Sequence, residues 1–234
     1  MTAAPTPGEL VTFMGLSFET TEDVLVPRFE TEQLGRVALE LLAGCAETGA
    51  GELRVVDMCC GSGNLACALA HASPRGSLRL PAISVWASDL TDACVALARR
   101  NVARHDLSAR VTVRQGDLFA SLVADVLEGA VDLVVCNPPY ISTGKLAGES
   151  AHLLDRQPRE AFDAGPYGFS IHKRVIADAA RFLRPGGWLA MEIGLGQERQ
   201  IEGLVGRASH YEDPRMFRDE RGAPRVVAAR LKDR

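Results

Sequence analysis

Four consecutive residues, Asn137-Pro138-Pro139-Tyr140, carry the sharpest chemical signal in the chain. They follow the apolar run Val131-Asp132-Leu133-Val134-Val135-Cys136, which reads as a buried strand. Two prolines there each remove a backbone donor and fix φ, whereas a simple strand stop needs only one. A turn built this way offers carbonyl acceptors without competing N–H groups. The Asn137 side-chain oxygen and the Pro138 carbonyl can each take one hydrogen of an incoming NH2 group. Pro139 keeps the corner rigid, and Tyr140 offers an aromatic face for a planar group to lie against.

That arrangement suits nucleophilic attack by an amide or aromatic amine. Such nitrogens react poorly because their lone pair is delocalised into the π-system. Acceptors that grip both hydrogens draw the nitrogen toward tetrahedral geometry and aim its lone pair at an electrophilic methyl carbon. Catalysis is then mainly orientation, plus electrostatic support for developing charge. It calls for no metal and no strong general base. Asn137, Pro138 and Tyr140 are the candidate catalytic residues, and all four residues of the corner are candidates for binding the acceptor.

A second group of residues suits a nucleoside-bearing methyl donor. Asp57 ends one apolar run, and Cys59-Cys60-Gly61-Ser62-Gly63 turns into the next helix. Glycines let backbone approach a ligand, and a helix N-terminus presents free N–H groups. Asp89 ends the next strand, where a carboxylate can accept both hydroxyls of a ribose. Asp117, past the third strand, is placed to meet an adenine edge. Asp57, Cys59, Gly61, Gly63, Asp89, Leu90, Asp117, Leu118 and Asn137 form the candidate donor-binding set. Gly61 to Ala66 also fits G-x-G-x-x-[GA], and Asp89 could equally serve NAD. The Asn137 corner favours the methyl donor.

The elements that position these residues alternate strand and helix. Strands are expected over 53–58, 83–87, 110–114, 131–136, 188–193 and 225–229. Helices are expected over 31–43, 65–72, 92–104, 168–184 and 197–206. Runs that are apolar on both faces, interleaved with helices, indicate a parallel sheet covered on both sides. The fold class is therefore α/β: a doubly wound, Rossmann-like, mostly parallel sheet with an antiparallel last strand. Residues 1–23 read as an N-terminal tail and residues 24–234 as the catalytic domain. The charged stretch from Glu212 to Arg225 reads as a solvated loop or hairpin.

The chain has 234 residues, a formal net charge of -4 and 47% hydrophobic residues, which is ordinary for a globular protein. The charge argues against a surface built to grip a phosphate backbone, so a nucleic-acid partner is disfavoured. No apolar run reaches about 18 residues, so no membrane span is expected. No secretory signal is visible, and the six cysteines lack zinc or disulfide spacing. They read as reduced thiols in a cytoplasmic protein, with Cys59 and Cys60 as packing residues. The five histidines are scattered and read as surface or helix-end residues.

Three strings extend the reading. Val24-Leu25-Val26-Pro27-Arg28-Phe29-Glu30-Thr31-Glu32 resembles the segment ahead of the sheet in the release-factor glutamine methyltransferases of the HemK/PrmC type. Gln157-Pro158-Arg159-Glu160-Ala161-Phe162-Asp163-Ala164-Gly165 resembles their segment after the asparagine motif, and Asn137–Tyr140 resembles the motif itself. The resemblance runs from about 24 to 230. It implies S-adenosylmethionine as donor, S-adenosylhomocysteine as product and a glutamine-like amide as acceptor. Three departures stand out. The family's separate N-terminal helical domain is missing, Cys59 sits where the family usually has glycine, and Tyr167 sits where it is usually acidic. The acceptor is thus a protein glutamine or, in a stand-alone biosynthetic enzyme, a small molecule. A nucleic-acid adenine amine ranks third, and a silent binding subunit would predict damage to Asn137 or Asp89.

Overall fold

The computed structural model describes residues 9–47, 51–75, 80–148, 150, 154 and 159–233. Strands β3 (Glu52–Met58), β4 (Ala82–Asp89), β5 (Val111–Gln115), β6 (Val131–Cys136), β7 (Leu183–Glu192), β8 (Tyr211–Arg218) and β9 (Pro224–Leu231) form one sheet in the order β5-β4-β3-β6-β7-β9-β8. Neighbours pair in parallel from β5 through β7, and β9 runs antiparallel to both β7 and β8. Only the last strand therefore opposes the rest, as expected.

Helices α1 (Glu32–Glu47), α2 (Asn64–Arg75) and α3 (Asp92–Arg104) share one core with a face of the sheet, through residues such as Leu34, Leu69 and Ala98. Helices α5 (Ser170–Phe182) and α6 (Glu198–Arg207) share a core on the other face, through Val175, Phe182 and Ile201, after a short α4 (Thr143–Ala147). Every residue of β6 is buried, which is why its sequence is continuously apolar apart from Asp132. That aspartate is held by Arg184 Nε at 2.6 Å and by the Arg54 amide at 2.8 Å. Thr91 caps α3, its side chain accepting the Cys94 amide at 3.2 Å.

The structure corrects three expectations. The N-terminal tail does not hold for residues 10–19: β1 (Leu10–Phe13) and β2 (Leu16–Glu19) pair as an antiparallel hairpin. Its two-residue turn, Met14-Gly15, takes positive φ at both positions, the twist that suits a tight hairpin. Alternation then points Phe13 and Phe18 inward, where they are 1% and 0% exposed. Asn101 of α3 fastens the hairpin, accepting the Glu19 amide at 2.9 Å and donating to the Ser62 carbonyl at 3.0 Å. Second, the helix expected over 168–184 ends at Phe182, and Pro185-Gly186-Gly187 lies inside β7, which shifts register beside β6 there. A Cβ on Gly187 would stand 3.0 Å from the Val131 carbonyl oxygen, so the close strand approach needs glycine. Third, His172 is wholly buried on α5 rather than at the surface. The 212–225 stretch is a hairpin, as one of the two readings had it, and its first arm is the edge strand β8.

Candidate active site

The order of strands reverses at β3, which pairs with β4 on one side and β6 on the other. In open α/β sheets ligands bind beyond the strand C-termini at such a point. A cavity of about 540 Å³ opens there, lined by Met58 at the end of β3, Asp89 at the end of β4 and Asn137 just past β6.

On the donor side, Cys59, Gly61, Asp89, Leu90, Asp117 and Leu118 all line the cavity. Asp89 Oδ2 accepts the Gly61 amide at 2.9 Å and Oδ1 accepts the Thr91 amide at 3.3 Å, so one carboxylate fixes both the glycine loop and the start of α3. A carboxylate has about four acceptor positions, which leaves capacity for hydroxyls facing the cavity. Asp117 lies at the rim, paired with Arg174 Nη2 at 2.7 Å. Gly116 takes φ 157°, and a Cβ there would meet Ser121 Cβ at 2.8 Å, which forces the chain tightly past the cavity floor.

Two members of the donor set stand behind this surface. Asp57 does not line the cavity: its Oδ2 accepts the Ala66 amide at 3.0 Å and so holds the first turn of α2. Burial pushes its carboxyl up to about 8, and Oδ1 has no hydrogen-bond partner among the described residues. Gly63 also lies off the cavity; a Cβ on it would stand 3.1 Å from Ala98 Cβ, so it serves the packing of the loop on α3.

The acceptor corner divides similarly. Asn137 and Pro139 line the cavity, whereas Pro138 is buried and Tyr140 does not reach the lining. Tyr140 is half-buried beside the corner. Its ring lies against Gly194, where a Cβ would be 2.9 Å from Cδ2, and its hydroxyl is 3.5 Å from Glu192 Oε1. Burial and the Glu192 charge push the Tyr140 hydroxyl up to about 12. Asn137 Nδ2 donates to Thr31 Oγ1 at 3.0 Å. Among the described residues, no group donates to Asn137 Oδ1, which is not sealed from solvent.

Behind the corner lies a polar cluster that the sequence reading did not single out. Glu192 ends β7 and is 2% exposed. Burial pushes its carboxyl up to about 7, against the opposing pull of the Thr31 hydroxyl, Arg28 and Arg225. His172 Nε2 bonds the Glu192 carbonyl at 2.8 Å, and burial brings this imidazole down to about 4, so it is neutral. Gln197 Nε2 donates to the carbonyls of Tyr140 at 2.8 Å and Gly168 at 3.0 Å, which ties the corner to the loop ahead of α6. Past the corner, Arg159 Nη1 meets Asp163 Oδ2 at 2.8 Å at the cavity edge.

Comparison with known proteins agrees with this geometry. Residues 36–166 match the family described as Methyltransferase small domain. A release factor glutamine methyltransferase of Gloeobacter violaceus is 38% identical over 212 residues, covering 91% of this chain and 68% of that protein.

The chain belongs to the small-domain methyltransferase family.

A second relative of this methyltransferase is the 4-amino-L-phenylalanine/4-methylamino-L-phenylalanine methyltransferase of Streptomyces pristinaespiralis. It is 37% identical over 201 residues, covering 85% of this chain and 64% of that protein. Among solved structures, the delta-N METTL16 MTase domain superposes with a TM-score of 0.65 at 17% identity, over 94% of this chain and 90% of the other, a likeness of fold.

Two signals in the methyltransferase sequence point to the hidden cluster. Glu192 is a carboxylate in the otherwise apolar run Trp188–Ile193, and a buried charge without a role is expensive. Gln197 directly follows the turn glycine Gly196, just ahead of a helix rather than within its polar face. Gln157 and Pro158 of the string after the corner, and His152, one of the five histidines, lie outside the described residues.

Proposed function

We propose that this methyltransferase carries the methyl group of S-adenosylmethionine to the side-chain amide nitrogen of a protein glutamine, with S-adenosylhomocysteine as the other product. One observation carries the reading: Asn137 keeps its amide nitrogen tied to Thr31 while its oxygen stays open beside the cavity.

The residues present fit such a donor. The cavity volume lies within the range of about 300–1,000 Å³ usual for small-ligand sites. Asp89 would accept the ribose hydroxyls, and the side chains of Leu90 and Leu118 would flank the adenine. Backbone at Cys59 and Gly61 would border the methionine part, and the Asp117 carboxylate would take the adenine amine. When bound, S-adenosylmethionine supplies a methyl carbon made electrophilic by a sulfonium.

The chain's own work is then to hold the nitrogen in line. Asn137 Oδ1 takes one hydrogen of the acceptor amide and the Pro138 carbonyl takes the other. Two acceptors on one nitrogen counter its planarity, and the fixed corner removes the entropy of finding that orientation. Tyr140, anchored by Glu192 and Gln197, supports the turn rather than stacking on the acceptor.

The glutamine reading draws on the Gloeobacter relative, whose name gives release factor as its substrate. A ribosomal protein uL3 glutamine methyltransferase of Bradyrhizobium diazoefficiens, 35% identical over 190 residues, points to the same acceptor group. The partner would be an exposed glutamine-bearing loop of a translation protein in the cytoplasm. No helix among the described residues is long and apolar enough to cross a membrane. A second reading, methylation of a small aromatic amine, is favoured by the Streptomyces relative and by the charged groups Arg159, Glu160 and Asp163 on the cavity wall. These could meet the ammonium and carboxylate of an amino acid. A nucleic-acid acceptor fits poorly with the net charge of -4.

Incubation with methyl-labelled S-adenosylmethionine and cell extract, fractionated into protein, nucleic acid and small molecules, separates these acceptors. Label on a protein, mapped by mass spectrometry to a glutamine side chain, is the expected result. Label only in the small-molecule fraction would replace it with the second reading.

A further inference from the structure

A hydroxyl carries one proton, so hydroxyls bonded end to end have a direction. Such a chain lies under the donor side of the cavity. Ser121 Oγ donates to the Leu118 carbonyl at 2.8 Å, which uses its only proton. Ser88 Oγ stands 2.6 Å from Ser121 Oγ, so Ser88 is the donor in that bond. The hydroxyls thus run in series from the end of β4 to the turn after β5. Ser88 is buried and lines the cavity beside Asp89.

The chain ends on a strained turn. Leu118 lines the cavity with φ 50°, a left-handed conformation that disfavours any residue with a Cβ. Gly116, two residues earlier, presses on the same serine: a Cβ there would stand 2.8 Å from Ser121 Cβ. The Gly116 amide donates to the Asp89 carbonyl at 3.0 Å. Strain of this kind persists only where its surroundings over-determine it, and it gathers at ligand sites. Ser121 fills the space beside Gly116, takes up the Leu118 carbonyl and is itself held by Ser88, so the 116–118 turn is fixed from below.

Ser88 serves the other donor loop by a different atom. Its main-chain carbonyl accepts the Cys60 amide at 3.0 Å, next to the Gly61 amide held by Asp89 at 2.9 Å. The main chain at residue 88 therefore holds the glycine loop, and the side chain holds the Leu118 turn. We propose that Ser88 and Ser121 are positioning residues for the nucleoside of the methyl donor: their hydroxyls, bonded in series, hold Leu118 against the adenine. The inference rests on the reading of this cavity as the S-adenosylmethionine site, with Leu118 beside the adenine.

The two bonds made by residue 88 allow a selective test. Ser88→Ala removes the hydroxyl branch and leaves the carbonyl bond to Cys60 in place, whereas Ser121→Ala removes both hydroxyl bonds. The full chain carrying each change, and both together, is titrated by calorimetry with adenosine and with S-adenosylhomocysteine. Each single variant should raise the Kd of both ligands by the same factor, about 3–10-fold, the net worth of one hydrogen bond. A loss common to the two ligands lies at the nucleoside, which both contain, rather than at the methionine part. Because both hydroxyls act through one bond to Leu118, the double variant should bind no more weakly than Ser121→Ala.

Thermal unfolding without ligand separates positioning from plain stability. An unchanged Kd for adenosine in either single variant, whatever the Tm, would overturn the proposal. A loss confined to S-adenosylhomocysteine would do the same by moving the effect to the glycine loop, and losses that add in the double variant would show two independent serines instead of a series. An unsubstituted protein that binds neither ligand would sink the donor reading of the cavity, a result distinct from failure of the serine chain. Should Ser88→Ala not fold, the adenosine Kd of Ser121→Ala still decides.

Discussion

Gly168 lies directly against the Tyr140 carbonyl: a Cβ on it would stand 2.9 Å from that oxygen and 3.1 Å from both Gln197 Nε2 and Ser142 N. Gly168 also has φ 80°, where a side chain is strained even in open space. The acceptor corner is thus braced from outside by a backbone that only glycine allows. Gly168→Ala should cost about 1–3 kcal/mol of stability and lower turnover by displacing Gln197 from the Tyr140 carbonyl. Thermal unfolding together with kcat checks this; an unchanged kcat would show that the corner does not depend on the brace.

Asn137→Ala removes one of two proposed acceptors. Turnover should fall by about 10²–10³, the usual effect of deleting one group from a pre-organised polar site. Donor affinity, measured by calorimetry, should stay near that of the unsubstituted protein. Asn137→Asp keeps an acceptor oxygen but loses the hydrogen given to Thr31, so it should retain partial activity. Parallel losses of binding and turnover in the alanine variant would argue that Asn137 serves the donor instead.

Asp89 joins the Gly61 amide to the start of α3 while facing the cavity. Asp89→Ala should weaken S-adenosylmethionine binding by about 1.5–3 kcal/mol, the worth of hydrogen bonds to a charged group. Asp89→Asn, which can still accept the Gly61 amide, should lose less. Equal affinity in all three proteins would remove Asp89 from the donor site.

Cys59 occupies φ 59°, a left-handed conformation that costs a non-glycine residue about 1–2 kcal/mol. This strain is the physical reason a glycine at this position is favourable. Cys59→Gly relieves it but gives back about 0.5–1 kcal/mol in chain entropy and loses the contact of the Cys59 side chain with the core. The balance predicts a Tm that is unchanged or raised by about 2–4 °C, with donor affinity equal or better because the loop has no Cβ beside the cavity. A lower Tm would mean the thiol contact outweighs the strain.

Stability should decline as pH rises from about 6.5 to about 8. In the folded state burial holds Asp57 up to about 8 and Glu192 up to about 7, from ordinary values of 3.8 and 4.5. Across this window the native state therefore binds protons that the unfolded chain has released, so raising pH favours unfolding. His172 acts oppositely, being lowered to about 4 from 6.5, but its contribution is confined to pH below 6.5. Asp57→Asn should flatten the upper part of the decline in a series of chemical denaturation curves. A slope identical to that of the unsubstituted protein would show that Asp57 does not titrate there.

The sheet and the reacting end were legible because their signals are local. A strand apolar on both faces, such as β6, can only be central, and two prolines after it are too costly to be incidental. Asp89 was legible for the same reason, as a charge at a strand end. The hairpin was missed because Met14-Gly15 lacks the Asn or Asp that usually marks such a turn. Charges along β8 are what an exposed edge strand carries, so hairpin and loop were indistinguishable there. Thr31 and Glu192 were hidden for a different reason. They lie far apart in the chain: the pairing of β7 beside β6 brings Glu192 behind the corner, and the segment ahead of α1 brings Thr31 to Asn137. Asp57 and Gly63 were correctly placed at the loop, but a sequence does not show which side of a loop a group supports.

Asn101 bonds both Glu19 of the hairpin and Ser62 of the glycine loop, so the first two strands act as ballast for the donor pocket. A shortened chain that began at Val24 would uncover the faces that Phe13 and Phe18 now seal and would leave the Asn101 amide with one tether instead of three. Anyone trimming this enzyme for crystallisation or fusion should therefore cut ahead of Leu10.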